Sequence, residues 1–498
     1  MQPDAIPKVG ENGVFQPRFG GTDESVVSPI GLGFLVLAGI LFLVLPRKYR
    51  FIPLFCVCYF ITAGQTLVIA GLHFQMLRLI ILFGWLRIGF SYLEARHEVA
   101  RFRMNVMDRA FIVWVISSCI TFTILWGSFS AFLNKCGFAY GILGTYFLLR
   151  YLVQDDEDVD RMIRVFAWVA AIIAACMLRE QMTGQNLFSV FGGVPLYTVI
   201  REGKLRSQAA FGNAILAGTF GSSLLPLFVL LWQSTKYKIS SLVGIAASFV
   251  IGLTSHSSTP FMVFGAGVIG LCAWPLRKFM RTIRWGIVAL ILGLQLVMKA
   301  PVWSLIARAD MVGGSSGYHR YVLVDAFIRH FFDWWLVGFR YPETWGWFTG
   351  DLANEFILQG VFGGLITFVL FLRIIVLAFR RLKRGRDLTP NIRQQKRLWA
   401  LGCTVFATCA AFFGIDYFDQ SIVTWYSLLA MIVAATTVAA AAPSLAKSAK
   451  TKSAKERKAE NVIDDLARDE VLVNPPIETP SEVTAPVSHW TGLGLRKA

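Results

Sequence analysis

Apolar runs long enough to cross a bilayer recur along this chain, and they limit its possible folds more than any other feature. They lie near 26–45, 51–70, 74–93, 109–126, 131–149, 162–178, 209–232, 239–253, 260–275, 285–299, 354–378, 399–415 and 421–442. A helix needs roughly 20 apolar residues to span a hydrocarbon layer about 30 Å thick. Inside that layer every backbone group must be paired within the protein. Composition agrees, with 55% of residues hydrophobic and only 16% charged, where soluble chains carry about a quarter charged. A soluble globular chain and a disordered one are both excluded. The predicted fold is an all-α polytopic integral membrane protein of about 12–13 transmembrane helices.

The formal charge of +17 does not imply a nucleic-acid partner, because the basic residues sit in the turns between apolar runs. That placement orients a membrane protein. One set of alternate turns holds Arg47, Lys48 and Arg50, then Arg96 to Arg109, Arg150 to Arg164, Lys236 and Lys238, Arg277 to Arg284, and Arg380 to Arg397. The opposite set is poor in Lys and Arg apart from two long loops, 179–208 and 300–353. The rule places the rich set in the cytoplasm and the two long loops outside. Three segments follow: a short 1–25 without a cleavable signal pattern, a transmembrane domain over 26–443, and a tail over 444–498. The tail opens basic, turns acidic around Asp464–Glu470 and becomes Pro-rich, so it is expected to be disordered and cytoplasmic. The eight cysteines are scattered without the spacing of a disulfide framework or a metal site.

Chemistry is expected in the two long loops. In the first, Arg201-Glu202-Gly203-Lys204-Leu205-Arg206 runs straight into a helix starting at Ala209. Arg206 therefore stands at a membrane surface near a helix N-terminus, as an anion ligand or as an anchor on lipid phosphate. In the second, 318–335 reads as one amphipathic helix. His319, Asp325, Arg329, His330 and Asp333 share its polar arc, and Asp325, Arg329 and Asp333 are spaced as an ion-pair ladder. Arg320 projects from the apolar arc, facing a ligand or snorkelling to water from a frayed helix start. Trp334, Trp335, Trp345 and Trp347 form an interfacial belt or offer a face for stacking on a sugar. Arg78, near the outer end of its span, lies within reach of the same ligand. Asp416 and Asp419, in a short turn, are expected to be solvated.

The order of these features resembles the O-antigen ligase and polymerase superfamily of bacterial membrane glycosyltransferases. A basic-loop arginine is followed by Phe211-Gly212-Asn213 opening a helix, then by Leu253-Thr254-Ser255. A long loop with an arginine-bearing helix comes next, then Trp335-Leu336-Val337-Gly338, and then Asn354 with Gly360, Gly363 and Gly364. The resemblance covers roughly residues 130–430. It implies a C-type glycosyltransferase-like fold in a bacterial inner membrane with periplasmic loops. It also implies transfer of glycan from an undecaprenyl-diphosphate carrier to a glycan or lipid acceptor, with no metal and no cofactor. By the same resemblance Arg206 and Arg320 hold the donor diphosphate and Asn354 positions the donor or acceptor, while Arg78 is added as a diphosphate contact from its place near the outer end of its span.

One position departs from the family pattern. The histidine expected before Asn354 is Ala353, in Asp351-Leu352-Ala353-Asn354-Glu355. Asp351 and Glu355, four apart and expected to share a helix face, are the candidates to accept a proton from the acceptor hydroxyl; dipole stabilisation at the helix start is the other role open to them. His256 and His319 are further candidates, and His319, Trp335 and Trp345 are candidate acceptor contacts. Two readings of other classes compete: a transporter of lipid-linked sugar, and a non-catalytic component of a polysaccharide export complex that uses its basic tail.

Overall fold

The computed structural model describes residues 27–69, 72–93, 104–308, 316–347, 349–418 and 420–438. They belong to a unit that ends at Ala441, and the second unit, Ala442–Ala498, lies outside the described residues. So do the expected segments 1–25 and 444–498, and Asp419.

The chain is nearly all helical. Helices α1 (Pro29–Val44), α2 (Phe51–Phe60), α3 (Met76–Leu93), α4 (Val106–Trp126), α5 (Phe129–Leu152) and α6 (Asp156–Thr183) come first. Next are α7 (Ala214–Leu231), α8 (Lys238–Thr254), α9 (Ser258–Cys272) and α10 (Met280–Val297). The short α11 (Leu305–Arg308), α12 (Ser316–Arg329) and α13 (Phe331–Trp334) precede α14 (Glu355–Val361), α15 (Gly364–Leu388), α16 (Ile392–Phe412) and α17 (Gln420–Val438). Each apolar run contains a helix. Among the described residues six helices are long and apolar enough to cross a membrane: α4, α6, α7, α8 with its leading turn, α10 and α17. This is the pattern of a multi-pass membrane protein, with fewer full-length spans than the run count predicts.

Start signals in the sequence explain several boundaries. Asn105 and Asp108 form a reciprocal cap on α4, Asn105 Oδ1 accepting from Met107 N and Asp108 N while Asp108 Oδ2 accepts from Asn105 N. Asp155 caps α6, whose first turn adds Asp156, Glu157 and Asp158, negative charge where the helix dipole is positive. That acidic turn gathers the basic turns. Arg47 reaches Asp158 at 2.9 Å, Arg161 reaches it at 2.6 Å, and Arg397 reaches Asp160 at 2.7 Å. Turns far apart in sequence thus share one end of the bundle.

Helix α7 is the hub, with 89% of its apolar window buried. It packs against α8, α9 and α16, and its Phe220 joins Tyr59, Phe166 and Phe211 in an aromatic cluster with centroids 4.8–6.3 Å apart. Helix α10 is the opposite case, since none of its residues is buried against the rest of the chain.

Three expectations about elements are corrected. The run 51–70 is helical only to Phe60. Thr62 then donates to Gly192 O at 2.6 Å and Gln65 to Thr62, and Thr66-Leu67-Val68-Ile69, rich in β-branched residues, pairs antiparallel with Leu72–Gln75 as β1 (Thr66–Ile69) and β2 (Leu72–Gln75). The helix expected over 318–335 ends at Arg329 and turns at His330. Arg329 pairs with Asp325 at 2.7 Å, but Asp333 pairs with His330 at 2.9 Å instead of continuing the ladder.

The third correction concerns 354–378, which breaks between α14 and α15. The backbone groups freed there do not stay unpaired: Val361 O accepts from Phe339 N at 2.7 Å, and Leu365 N donates to Trp335 O at 2.8 Å. The motif Trp335-Leu336-Val337-Gly338 is therefore stitched into the break. Contact is so close that a Cβ on Gly338 would lie 2.4 Å from Val361 O, and one on Gly364 would lie 2.5 Å from Leu336 O. Both glycines also have positive φ, 104° and 69°, which a side chain would strain.

Candidate functional site

The first long loop is held from inside. The Glu180 side chain, at the end of α6, is buried and accepts from Gln208 N, Ala209 N at 2.9 Å and Thr198 Oγ1 at 3.2 Å. Asn186 Nδ2 donates to Ala209 O at 2.8 Å, fixing a residue with φ of 51°. Between these anchors the chain forms a hairpin, β3 (Val199–Arg201) and β4 (Lys204–Arg206). Asn213 then caps α7 through Leu216 N. The helix expected to start at Ala209 starts instead at Ala214, because Ala209 takes a positive φ and Asn213 supplies the cap; Arg206 ends β4, eight residues before the hub helix.

Arg206 faces a cavity of about 680 Å³ enclosed by the bundle and the loop. Three cations line it: Arg78 from α3, Lys135 from α5 and Arg206. Three carboxylates line it as well: Asp351, Glu355 and Asp416. Among the described residues no cation of this set lies within ion-pair distance of a carboxylate of the set. The Arg206 Nε is buried without a hydrogen-bond partner, and burial, reinforced by repulsion from Arg201, pulls its pKa below the usual value. Uncompensated charge in a water-poor interior is costly. Opposite charges held apart in one chamber leave room for a ligand that carries both a negative group and a hydroxyl.

Glu355 has the most defined surroundings. It is 6% exposed. Its Oε2 accepts from Tyr417 N at 2.7 Å, and its Oε1 accepts from Gln359 Nε2 at 2.8 Å. The Gln359 amide is itself oriented by Trp114, whose Nε1 donates to Gln359 Oε1 at 2.9 Å. Both carboxylate oxygens are thus acceptors, and their remaining lone pairs are available in the chamber. Asp416, in the loop after α16, is not the solvated residue expected: it lines the cavity, where burial, with the charge of Asp351 adding to it, raises its pKa. Asp351 also lines the cavity, but it precedes α14, so it and Glu355 do not share a helix face.

Four of the residues singled out in sequence therefore converge on the cavity: Arg78, Arg206, Asp351 and Glu355. Six others do not line it. Arg320 turns away, its Nη2 donating to Thr259 Oγ1 at 2.6 Å and Ser258 Oγ at 3.2 Å, so the second loop is tied to the first turn of α9. Asn354 caps α14 with Oδ1 on Ile357 N, and its Nδ2 donates to Phe413 O. Trp345 is sandwiched between His330 and Phe339, with ring centroids 5.2 and 5.1 Å away. Trp335, 43% exposed, lends its carbonyl to the helix break. His319 sits beside Arg320 on α12. His256 has φ of 41° and lies against Gln181 Nε2 at 3.4 Å, with a pKa lowered by burial and then by Lys204 and Arg206.

Lys135, Gln359 and Trp114 were not singled out in sequence, and Asp416 was read there only as solvated. Lys135 gave a signal, since an ionisable residue inside an apolar run marks function by default. The others gave none, because their importance comes only from what folds against them.

The architecture and the chamber define a helical multi-pass membrane protein with an internal cavity lined by both signs of charge. In comparison with known proteins, the chain matches no family model, no curated protein and no solved structure.

Proposed function

We propose that this protein is a glycosyltransferase of the O-antigen ligase and polymerase type, with a C-type glycosyltransferase-like fold, acting on the outer face of a bacterial inner membrane. One observation carries the proposal: three cations and three carboxylates line one cavity without pairing with one another. In this reading the diphosphate of the lipid-linked donor lies against Arg206 and Arg78. The acceptor hydroxyl lies near Glu355, which takes its proton while the acceptor oxygen bonds to the anomeric carbon. The bond from that carbon to the carrier phosphate breaks, and its electron pair leaves with the diphosphate. Fixed guanidinium groups favour this step because negative charge grows on the leaving group.

Ala353 supports the assignment of Glu355. It lines the same cavity, so the position where the resembled family carries histidine faces the chamber but offers no titratable group. Glu355, two residues on, supplies one. Arg320 has an indirect part in this account, holding the second loop to Ser258 and Thr259.

The test is a host lacking the gene, with its lipid-linked and surface glycans separated by length. Long chains stranded on the carrier indicate a ligase, and single repeat units indicate a polymerase. Unchanged glycans in both pools would overturn the enzymatic reading and turn attention to the export-complex alternative.

The transporter alternative draws support from the interrupted helix α14–α15, which places a buried acid beside a break in a span, a device of transporters. It predicts that lipid-linked glycan in the same host is trapped on the inner face, out of reach of a glycosidase added outside.

A further inference from the structure

Lys135 projects from α5 into the cavity between two aromatic faces, its Nζ 4.2 Å from the ring centre of Phe122 and 4.2 Å from that of Phe138. Among the described residues its ammonium has neither an ion pair nor a hydrogen bond. Two rings stabilise a cation without neutralising it. On the facing helix Arg78 donates to the His73 carbonyl at 2.9 Å, a neutral partner, and forms no ion pair among the described residues. The two helices approach closely here. A Cβ on Gly137, two residues from Lys135, would lie 3.0 Å from Arg78 Nη1. Glycine at 137 thus leaves space for the Arg78 guanidinium against α5, on a different side of that helix from Lys135, since positions two apart do not share a face. Two cations that line one chamber without a carboxylate partner are each costly to bury. Together they suit an anion of more than one charge.

We propose that Arg78 and Lys135, from different sides of one cavity, form a phosphate seat, and that Lys135 is a ligand-binding residue for the phosphate group of a lipid. Arg78 supplies a planar fork and Lys135 a compact point charge that can follow the group. The apolar faces of Phe122 and Phe138 beside the ammonium suit the first carbons of the attached chain. The inference rests on the proposed function and adds a contact from α5 to those of Arg206 and Arg78.

The experiment uses the full chain purified in a maltoside detergent, with its unfolding temperature followed against four probes: farnesyl diphosphate, farnesol, inorganic pyrophosphate and phosphatidylglycerol. Farnesyl diphosphate is expected to raise the unfolding temperature of the wild type saturably, and farnesol to leave it unchanged. Lys135→Met should need at least ~10-fold more farnesyl diphosphate for the same shift, the effect of losing one charged contact to phosphate. Lys135→Arg, which keeps the charge, should titrate close to wild type and controls for folding. A saturable, Lys135-dependent shift with phosphatidylglycerol instead would identify the occupant as a bilayer lipid, and one with pyrophosphate alone would show that the seat takes free diphosphate and overturn the lipid assignment. Wild-type titration by Lys135→Met overturns the seat. If Arg206→Ala then still weakens binding, only this inference fails; if Arg206→Ala also binds normally, or the wild type responds to no phosphate, the donor-site reading fails with it.

Discussion

Gln359 donates to Glu355 at 2.8 Å while accepting from Trp114 at 2.9 Å. The amide therefore cannot flip without breaking both bonds, and it locks the direction of the one buried acid with two accepted hydrogen bonds in the cavity. General-base catalysis contributes roughly 10²–10⁴-fold, so Glu355→Gln, nearly the same in shape, should reduce glycan transfer by about 10²-fold or more at normal protein level. Surface glycan measured over time after induction reads this directly. Wild-type kinetics would remove Glu355 from the mechanism.

Arg206 is the loop cation with a buried, unpartnered nitrogen. Arg206→Ala should lower transfer by about 10²-fold, with Arg206→Lys recovering only part, because the ammonium cannot make a two-pronged contact. Equal activity of all three forms would show that the cavity is not the donor site.

Arg320 behaves differently in this structure, since Thr259 Oγ1 is its partner at 2.6 Å and itself donates to Gly414 O at 3.4 Å. Arg320→Ala and Thr259→Val should then cause similar losses, and the double variant should be little worse than either, the signature of a shared contact. A severe Arg320→Ala defect beside a silent Thr259→Val would restore Arg320 as a direct ligand group.

The helix break predicts a stability effect separate from activity. Gly338→Ala and Gly364→Ala each force a methyl against a carbonyl and strain a positive-φ residue, at a cost of about 2 kcal/mol or more. The unfolding temperature in detergent should fall for both, whereas Gly286→Ala on α10, with nothing within 4 Å, should leave it unchanged. Unaltered stability of Gly338→Ala would mean that the loop is not stitched to the break.

Asp416 gives a pH dependence. Its folded-state pKa is raised, so the native state holds the proton more tightly than the unfolded chain, and stability from this group is lost as pH rises through the raised value. Asp416→Asn should therefore raise the unfolding temperature at pH 7.5, with the gain fading as pH falls from the raised value towards the ordinary ~3.9. A gain that grows on acidification would contradict the burial of this carboxyl.

The helices were readable in sequence because lipid imposes one rule on every span, and the capping residues Asn105, Asp155 and Asn213 mark where three of them start. Glu355 was readable because it opens a helix, and Arg206 because it ends the basic stretch of a long loop. The direction of Arg320 was not, since it depends on hydroxyls 61 and 62 residues away. The two breaks, at His330 and between α14 and α15, were hidden for a related reason: each run is apolar enough to continue, and the partners that make stopping favourable, Asp333 and the carbonyl of Trp335, belong to a neighbouring turn or loop. Asp416 looked solvated because a short polar turn usually is; Glu355 of α14 binds the amide of the next residue, and Asp416 lines the cavity.

Tyr59 hydrogen-bonds Thr424 at 2.7 Å across 365 residues. A ribosome delivers the first of these two long before the second, so the early helices enter the bilayer while one wall of the chamber has yet to be made. That wall is α17, which brings Trp425 and Tyr426 to the cavity. The order of synthesis thus keeps the chamber without one of its walls until the last described helix arrives, and a nascent chain stalled before residue 420 lacks that wall.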